Sequence, residues 1–447
     1  MIQEVDSCPR DMDVQDSNGE EKWVSVITCD MEGRIETFNK GAEKIFGYSK
    51  EEIIGKRRVS MFSPGTVVLG HVGRWLSEAS QSGEFRGKTA FIRKDGTKFA
   101  ANIKITPTYK TIDGERTQIG YCGRTEPLFD EDPEAAIPPT SFATKLISGL
   151  VILRLPFVTA ALLPAILALV WAHWNGMVDG GVWGLGVTGI LFGAAFLHLS
   201  ANVFNDYFDV KDGVDDANND YFLQYSGGSR AVELGLITLR GQAILASILL
   251  AISGMIGLWL MLFVERPGVI WYGLAGALGG FFYTAPPLRL SARHGMGELT
   301  IGLLFGPLMT MGTVYAYTGV HSWSALALGI PLGLITTGIL YINEFPDTPS
   351  DLATGKVHLV AMLGVERARY GYAVIMVLAY ASIIGLGAAS VLPMYALIGL
   401  VCAPWAFHLA QRLINEYDQR SLITANEQTI YMHMVAGILL IAGVAIA

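Results

Sequence analysis

Two short acidic stretches offer the most distinctive chemistry in this chain. The first, Asn202 to Asp216, reads NVFNDYFDVKDGVDD. Asp206, Asp209, Asp212 and Asp215 recur at every third residue, so on a continuing helix the first two share a face. The second, Tyr341 to Lys356, reads YINEFPDTPSDLATGK and sets Glu344, Asp347 and Asp351 at three- and four-residue spacing. Each stretch stands where a long apolar segment runs out into polar residues. A charged side chain forced to the centre of a membrane helix costs about 2.5–3.5 kcal/mol on insertion scales, so carboxylates kept at such a mouth call for a partner. A hard divalent cation is one: Mg2+ takes oxygen ligands, usually one or two carboxylates plus substrate phosphates. For either stretch alone the alternative is a solvated acidic loop, with Asn and Asp serving as caps and turn formers. Two such clusters at the ends of two spans can face each other across a cavity and hold two metal ions on one diphosphate.

Cations accompany the carboxylates. Lys211, Arg230 and Lys356 would make charge-assisted contacts to a diphosphate, or would serve only as loop charges that set topology. An apolar bundle beneath the site suits a hydrocarbon tail, and head and tail together point to an isoprenyl diphosphate. Mg2+ would then neutralise the departing diphosphate. An allylic cation wants aromatic faces and no water. Phe204, Tyr207, Phe282, Tyr283 and Tyr341 fall near the ends of their segments, where anchoring and packing are the competing roles. The attacking group should be an electron-rich aromatic carbon.

The elements that must position these residues are apolar. Of the 447 residues 51% are hydrophobic and only 16% charged, with a mean hydropathy of +0.40, which excludes an ordinary soluble domain. From residue 145 onward nine segments approach the ~20 residues a bilayer requires: 146–170, 182–204, 242–263, 268–286, 298–319, 323–343, 370–390, 393–410 and 430–447. Lys211, Arg230, Arg240, Arg289, Arg293, Lys356, Arg367, Arg369, Arg412 and Arg420 fall in loops on one side, and Arg266 on the other. The positive-inside rule then predicts an integral protein of the cytoplasmic membrane, with the N-terminal region and both acidic clusters cytoplasmic and the C-terminus outside. The net charge of −8, without a basic block, gives no nucleic-acid footprint. Cys8, Cys29, Cys122 and Cys402 show no metal spacing and no pairing pattern, which suits a reduced compartment.

Ahead of the spans, residues 1–22 read as a disordered acidic tail lacking the apolar core of a signal peptide. Residues 23–125 read as an α+β domain: two strands around the turn Asp30-Met31-Glu32-Gly33, short helices with Ile45, Phe46, Ile53 and Ile54 as apolar positions, then alternating runs turned at Lys94-Asp95-Gly96-Thr97 and Asp113-Gly114. Residues 126–144 are a Pro- and acid-rich linker.

The runs GRIETFNKGAEKIFGYSKEEIIGK and RKDGTKF resemble a PAS sensor domain, which implies a five-stranded antiparallel sheet with short helices. Cys29 and Cys122 fall in strands, so flavin-adduct photochemistry is not expected. His71 lies where haem-binding PAS domains carry their ligand, but a small-metabolite pocket, a dimer contact or no ligand at all is the stronger expectation. NDYFDVKDGVDD and NEFPDTPSD, with nine spans, resemble the UbiA-type membrane prenyltransferases over 145–447. LRLPFVTAALLPA, YSGGSRAVELGLIT and FYTAPPLRLSARHGMGELTIGLLFGPL are similar to the 1,4-dihydroxy-2-naphthoate polyprenyltransferase branch, which carries Gly227-Gly228-Ser229 where other branches show Arg-Pro.

The resemblance implies metal ligands Asp206, Asp209, Asp215, Glu344, Asp347 and Asp351, with Asp206, Asp209, Asp347 and Asp351 catalytic. It also implies substrate contacts from Asn202, Arg154, Lys211, Arg230, Lys356, Tyr283 and Glu298, Mg2+ as cofactor, and a polyprenyl diphosphate and an aromatic acid as substrates, the acid losing CO2. Glu298 would orient the acceptor or simply favour a helix N-terminus. Pro346 departs from the pattern and should end its helix at Phe345. The fused PAS domain is also unusual for the family and leaves room for a different acceptor. Two other readings compete: an inactive membrane sensor of lipid or quinone, and a transporter, which would need inverted halves that the chain lacks.

Overall fold

The computed structural model describes residues 14–15, 21–112, 114–177, 184–218 and 228–447. The chain divides into two compact units, one of residues 1–152 with 231–238, the other of 153–230 with 239–447.

In the first unit five antiparallel strands, β1 (Ser25–Asp30), β2 (Ile35–Phe38), β3 (Phe85–Ile92), β4 (Lys98–Ile112) and β5 (Glu115–Leu128), lie in the order β2-β1-β5-β4-β3. The two legible turns form for local reasons. Asp30 Oδ1 accepts from the N–H groups of Glu32 and Arg34 while Gly33 takes φ 81°. Asp95 Oδ1 accepts from Thr97 N–H while Gly96 takes φ 82°. Asp113 lies outside the described residues, as does the acidic tail apart from a two-residue pairing of Val14–Gln15 with Glu21–Lys22. Ile27, Ile35, Phe46, Phe62, Phe91 and Phe99 form a core against one face, with the Phe46 and Phe62 rings 4.2 Å apart. Ile45 and Ile53 are buried as expected, but Ile54 is 39% exposed because it adopts extended backbone at its helix end. β5 runs on through Glu126–Leu128, so the Pro-rich stretch opens inside the sheet; Pro127 pairs only with β4 there, an edge position that needs no second donor. Cys122 is disulfide-bonded, which corrects the expectation that no cysteine pairs. His71 is half-buried with its ring 6.0 Å from Trp75.

The second unit is built of α1 (Leu155–Trp174), α2 (Leu185–Lys211), α3 (Leu239–Phe263), α4 (Val269–Thr284), α5 (Met296–Thr318), α6 (Trp323–Ala353), α7 (Val365–Ala388), α8 (Met394–Glu416) and α9 (Leu422–Ala445). All but α4 are long and apolar enough to cross a bilayer, so among the described residues eight candidate spans stand where nine were expected; α4, of 16 residues, is the short one. The first expected span is broken. Arg154 takes φ 50°, ending the helix Phe142–Leu153 two residues before Pro156. Pro346 does not stop its helix either: α6 continues through Pro346 and Pro349 to Ala353. The hydroxyls of Thr348 and Ser350 donate to the carbonyls of Glu344 and Asp347 in those turns, and a buried flank from Leu332 to Asp351 holds the helix together where propensity alone would end it. α5 and α6 approach backbone to backbone: a Cβ on Gly306 would lie 2.5 Å from the Gly329 carbonyl oxygen and 2.7 Å from Gly333 Cα. Outward-facing Leu258, Phe263, Trp271, Val377 and Leu378 are each more than half exposed, the apolar surface that lipid covers.

Candidate active site

α2 carries the first acidic cluster out of the apolar bundle. Asp206 is buried; Arg154 Nη1 lies 3.4 Å from its Oδ1, and Ser229 N–H donates to its Oδ2 at 3.2 Å. Gly228, at φ 77°, passes so close that a Cβ there would lie 3.0 Å from Asp206 Oδ1 and 4.0 Å from Asp215 Oδ1. The Arg230 guanidinium, buried, reaches Asp215 Oδ1 at 3.8 Å and donates to the carbonyls of Asp215 and Asn218. Asn205 donates to Asp209 Oδ2 at 3.1 Å.

The second cluster meets the first through two residues. Asn218 Nδ2 donates to Asp347 Oδ1 at 2.9 Å, joining positions 129 residues apart. Lys356 Nζ lies 3.4 Å from Asp351 Oδ2. Burial would push this ammonium's pKa down, but Asp209, Asp351, Tyr283 and Asp347 around it raise it above the ordinary lysine value. Lys356 is therefore a fixed cation between carboxylates of both clusters.

A cavity of about 1060 Å3, counted out into the solvent at its mouth, opens beside the clusters. Along α2 its lining passes from Ala194 and Leu197 through His198 to Asn202 and Asn205, turning polar as it nears Asp206. Arg154 and Tyr283 line it as well, and Phe305 sets its ring edge-on to His198 at 4.9 Å.

The model for the UbiA prenyltransferase family matches residues 161–435, and a PAS domain model matches 23–122. The chain belongs to the UbiA prenyltransferase family. The family domain makes it a membrane prenyltransferase, with an N-terminal PAS domain. A 2-carboxy-1,4-naphthoquinone phytyltransferase of Synechocystis is 25% identical over 68% of this chain and 95% of its own length. A 1,4-dihydroxy-2-naphthoate octaprenyltransferase of Mycobacterium tuberculosis is 30% identical over 53% of this chain and 77% of its own. Among solved structures, a UbiA homolog from Archaeoglobus fulgidus bound to GPP and Mg2+ aligns over 66% of this chain and 99% of its own, at 16% identity and a TM-score of 0.44.

Within this prenyltransferase the residues singled out from sequence do not all converge. Asn202, Asp206, Asp209, Asp215, Arg230, Asp347, Asp351, Lys356, Arg154 and Tyr283 lie around the cavity mouth or contact one another there. Lys211 is exposed, its Nζ 5.8 Å from the Tyr207 ring, and among the described residues no ion pair joins it to the carboxylates. Glu344 meets His358 instead: its Oε2 lies 3.2 Å from His358 Nδ1, beside Glu298, while His358 Nε2 lies 3.4 Å from Asp351 Oδ2. Tyr341 is a packing residue: it is buried, its hydroxyl donates to Ala368 O at 2.7 Å, and Gly371 leaves the room for it. Asn218, His198 and His358 went unnoticed in the sequence. His358, two residues past Lys356 in GKVHLV, carries the only local signal: a histidine caught between a polar turn and an apolar run.

Proposed function

We propose that the protein transfers an isoprenyl group from an allylic polyprenyl diphosphate to an aromatic acid of the 1,4-dihydroxy-2-naphthoate type, which loses its carboxylate as CO2. The convergence of both acidic clusters on Asn218 and Lys356, beside a cavity that turns apolar with depth, carries this reading, and the substrates named for the two relatives support the acceptor class. Mg2+ suits the donor set. Asp206, Asp209 and Asp215 on one side, with Asp347 and Asp351 on the other, offer oxygen alone, and the bare Gly228 leaves room between Asp206 and Asp215. Bound there, it would supply the charge that lets diphosphate depart.

The chain's own groups do the rest. Lys356 and Arg154 present cations to the diphosphate. Asn202 and Asn205 offer amides at the mouth. The aliphatic wall keeps water from the allylic carbon while the tail lies along α2. Membranes supplied with geranylgeranyl diphosphate and a panel of aromatic acids should yield a prenylated, decarboxylated product by mass spectrometry. Asp206→Ala and Asp347→Ala should each lower kcat/KM by about 100-fold or more. Full activity in both would sink the assignment.

The loop cations support placing the PAS domain and both clusters in the cytoplasm, and the C-terminus lies outside if α4 also crosses. Regulation by the PAS domain is supported by chain continuity. Arg230, which binds Asp215, is followed directly by Ala231–Thr238, a segment of the first unit in which Leu234 is buried and a Cβ on Gly65 would lie 2.1 Å from its carbonyl oxygen.

A further inference from the structure

We infer that Glu298, Glu344 and His358 form a cation site of their own, suited to an imidazole-accepting divalent ion such as Zn2+ rather than to Mg2+. Three separate pieces of chain build it: the first turn of α5, the exit of α6, and the residue that caps the helix Leu359–Leu363. Their donor atoms lie within 4.8 Å of one another, and the three residues are only 4, 7 and 1% exposed.

Two of the three are steered from behind. Leu359 N–H donates to Glu298 Oε1 at 2.6 Å and leaves Oε2 buried without a hydrogen-bond partner. Ala361 N–H donates to His358 Nδ1 at 3.2 Å, which marks that nitrogen as a bearer of a lone pair. Glu344 Oε2, likewise buried without a hydrogen-bond partner, faces it at 3.2 Å. Lone pairs gathered this closely and out of water repel one another unless something positive sits among them. Lys356, the cation nearest in sequence, makes its ion pair with Asp351, and among the described residues none joins it to either glutamate. A bound ion would exchange the long contact from Ala361 for a shorter bond to nitrogen.

The imidazole sets the class of ion. Mg2+ prefers oxygen and keeps much of its water, whereas Zn2+ accepts His nitrogen and carboxylate oxygen together in three-ligand sites with one position open. The site goes beyond prenyl transfer: it withdraws Glu344 from the diphosphate's ligands and ties α5, α6 and the Lys356 loop together, and His358 Nε2, 3.4 Å from Asp351 Oδ2, sets it directly beside the second acidic cluster.

The experiment uses the full chain in detergent, stripped with chelator, in excess Mg2+ and without any diphosphate. Zn2+ should be retained at one per chain through gel filtration and should raise Tm, and Co2+ in its place should give visible bands of mixed nitrogen and oxygen ligation. His358→Asn keeps a good helix-capping side chain but lacks the imidazole, and Glu298→Gln keeps the size and removes the charge. Each should weaken Zn2+ by tenfold or more, since even outer-shell changes cost about 10- to 100-fold. Wild type that binds Zn2+ no better than both variants would overturn the site and leave the three residues sharing a proton only. No turnover enters the measurement, so a failure of prenyl transfer and a failure of this site are told apart.

Discussion

Arg230 holds the acid loop in shape from inside it. With φ 53° and a side chain 1% exposed, it binds one carboxylate and two carbonyls. Arg230→Ala strands those acceptors, and breaking a buried pair from one side costs about 3–5 kcal/mol. A fall of several degrees in the detergent melting curve should follow, with Arg230→Lys intermediate because the charge stays and the planar fork is lost. Cys29 makes the opposite case in the PAS domain. Burial pushes its thiol up to about 12, so near pH 8 only about one part in 10^4 is thiolate. Iodoacetamide should leave Cys29 unlabelled in the native protein and label it on unfolding; rapid native labelling would contradict the buried strand position. Residues of this kind differ in how visible they are from sequence. The acidic clusters announce themselves because charge interrupts an apolar run. Asn218 and His358 do not, since each acquires its meaning from a partner far along the chain or on another helix.

At the scale of elements, periodicity gave the strands and most of the spans, because both report a local solvent boundary. It missed the breaks. Arg154 ends one helix and Pro346 fails to end another, and in both places tertiary contact overrides local preference: Arg154 is drawn to Asp206, and the α6 exit is buried on one flank. The close approach of α5 and α6 was equally hidden. Gly333→Leu should force the pair apart, since even a Cβ there would meet the Gly302 carbonyl oxygen at 2.4 Å. Overpacking of this kind costs about 1–3 kcal/mol. The expected outcome is a lowered Tm together with lost prenyl transfer, while Leu303→Ala on the exposed face of α5 changes neither.

At the scale of the whole molecule, the PAS-containing unit and the membrane unit share a stretch of chain beside the first acidic cluster. Under the regulatory reading proposed above, covalent continuity would be the route. Ser229 and Arg230 hold Asp206 and Asp215, and the next eight residues fold with the first unit, where Leu234 is buried. A change in the sensor that loosened Leu234 would slacken the loop that positions two carboxylates of the first cluster. Leu234→Ala in the full chain, and deletion of residues 1–140, should then act alike. Each should raise KM for the prenyl diphosphate by on the order of fivefold or more, the low end of ordinary allosteric coupling, while KM for the aromatic acid moves less, because the loop holds carboxylates of the diphosphate site and not the cavity wall. Steady-state kinetics in nanodiscs, varying each substrate in turn, separates the two effects. Equal kinetics for all three proteins would leave the loop anchored by Arg230 alone and the PAS domain without a mechanical connection to catalysis.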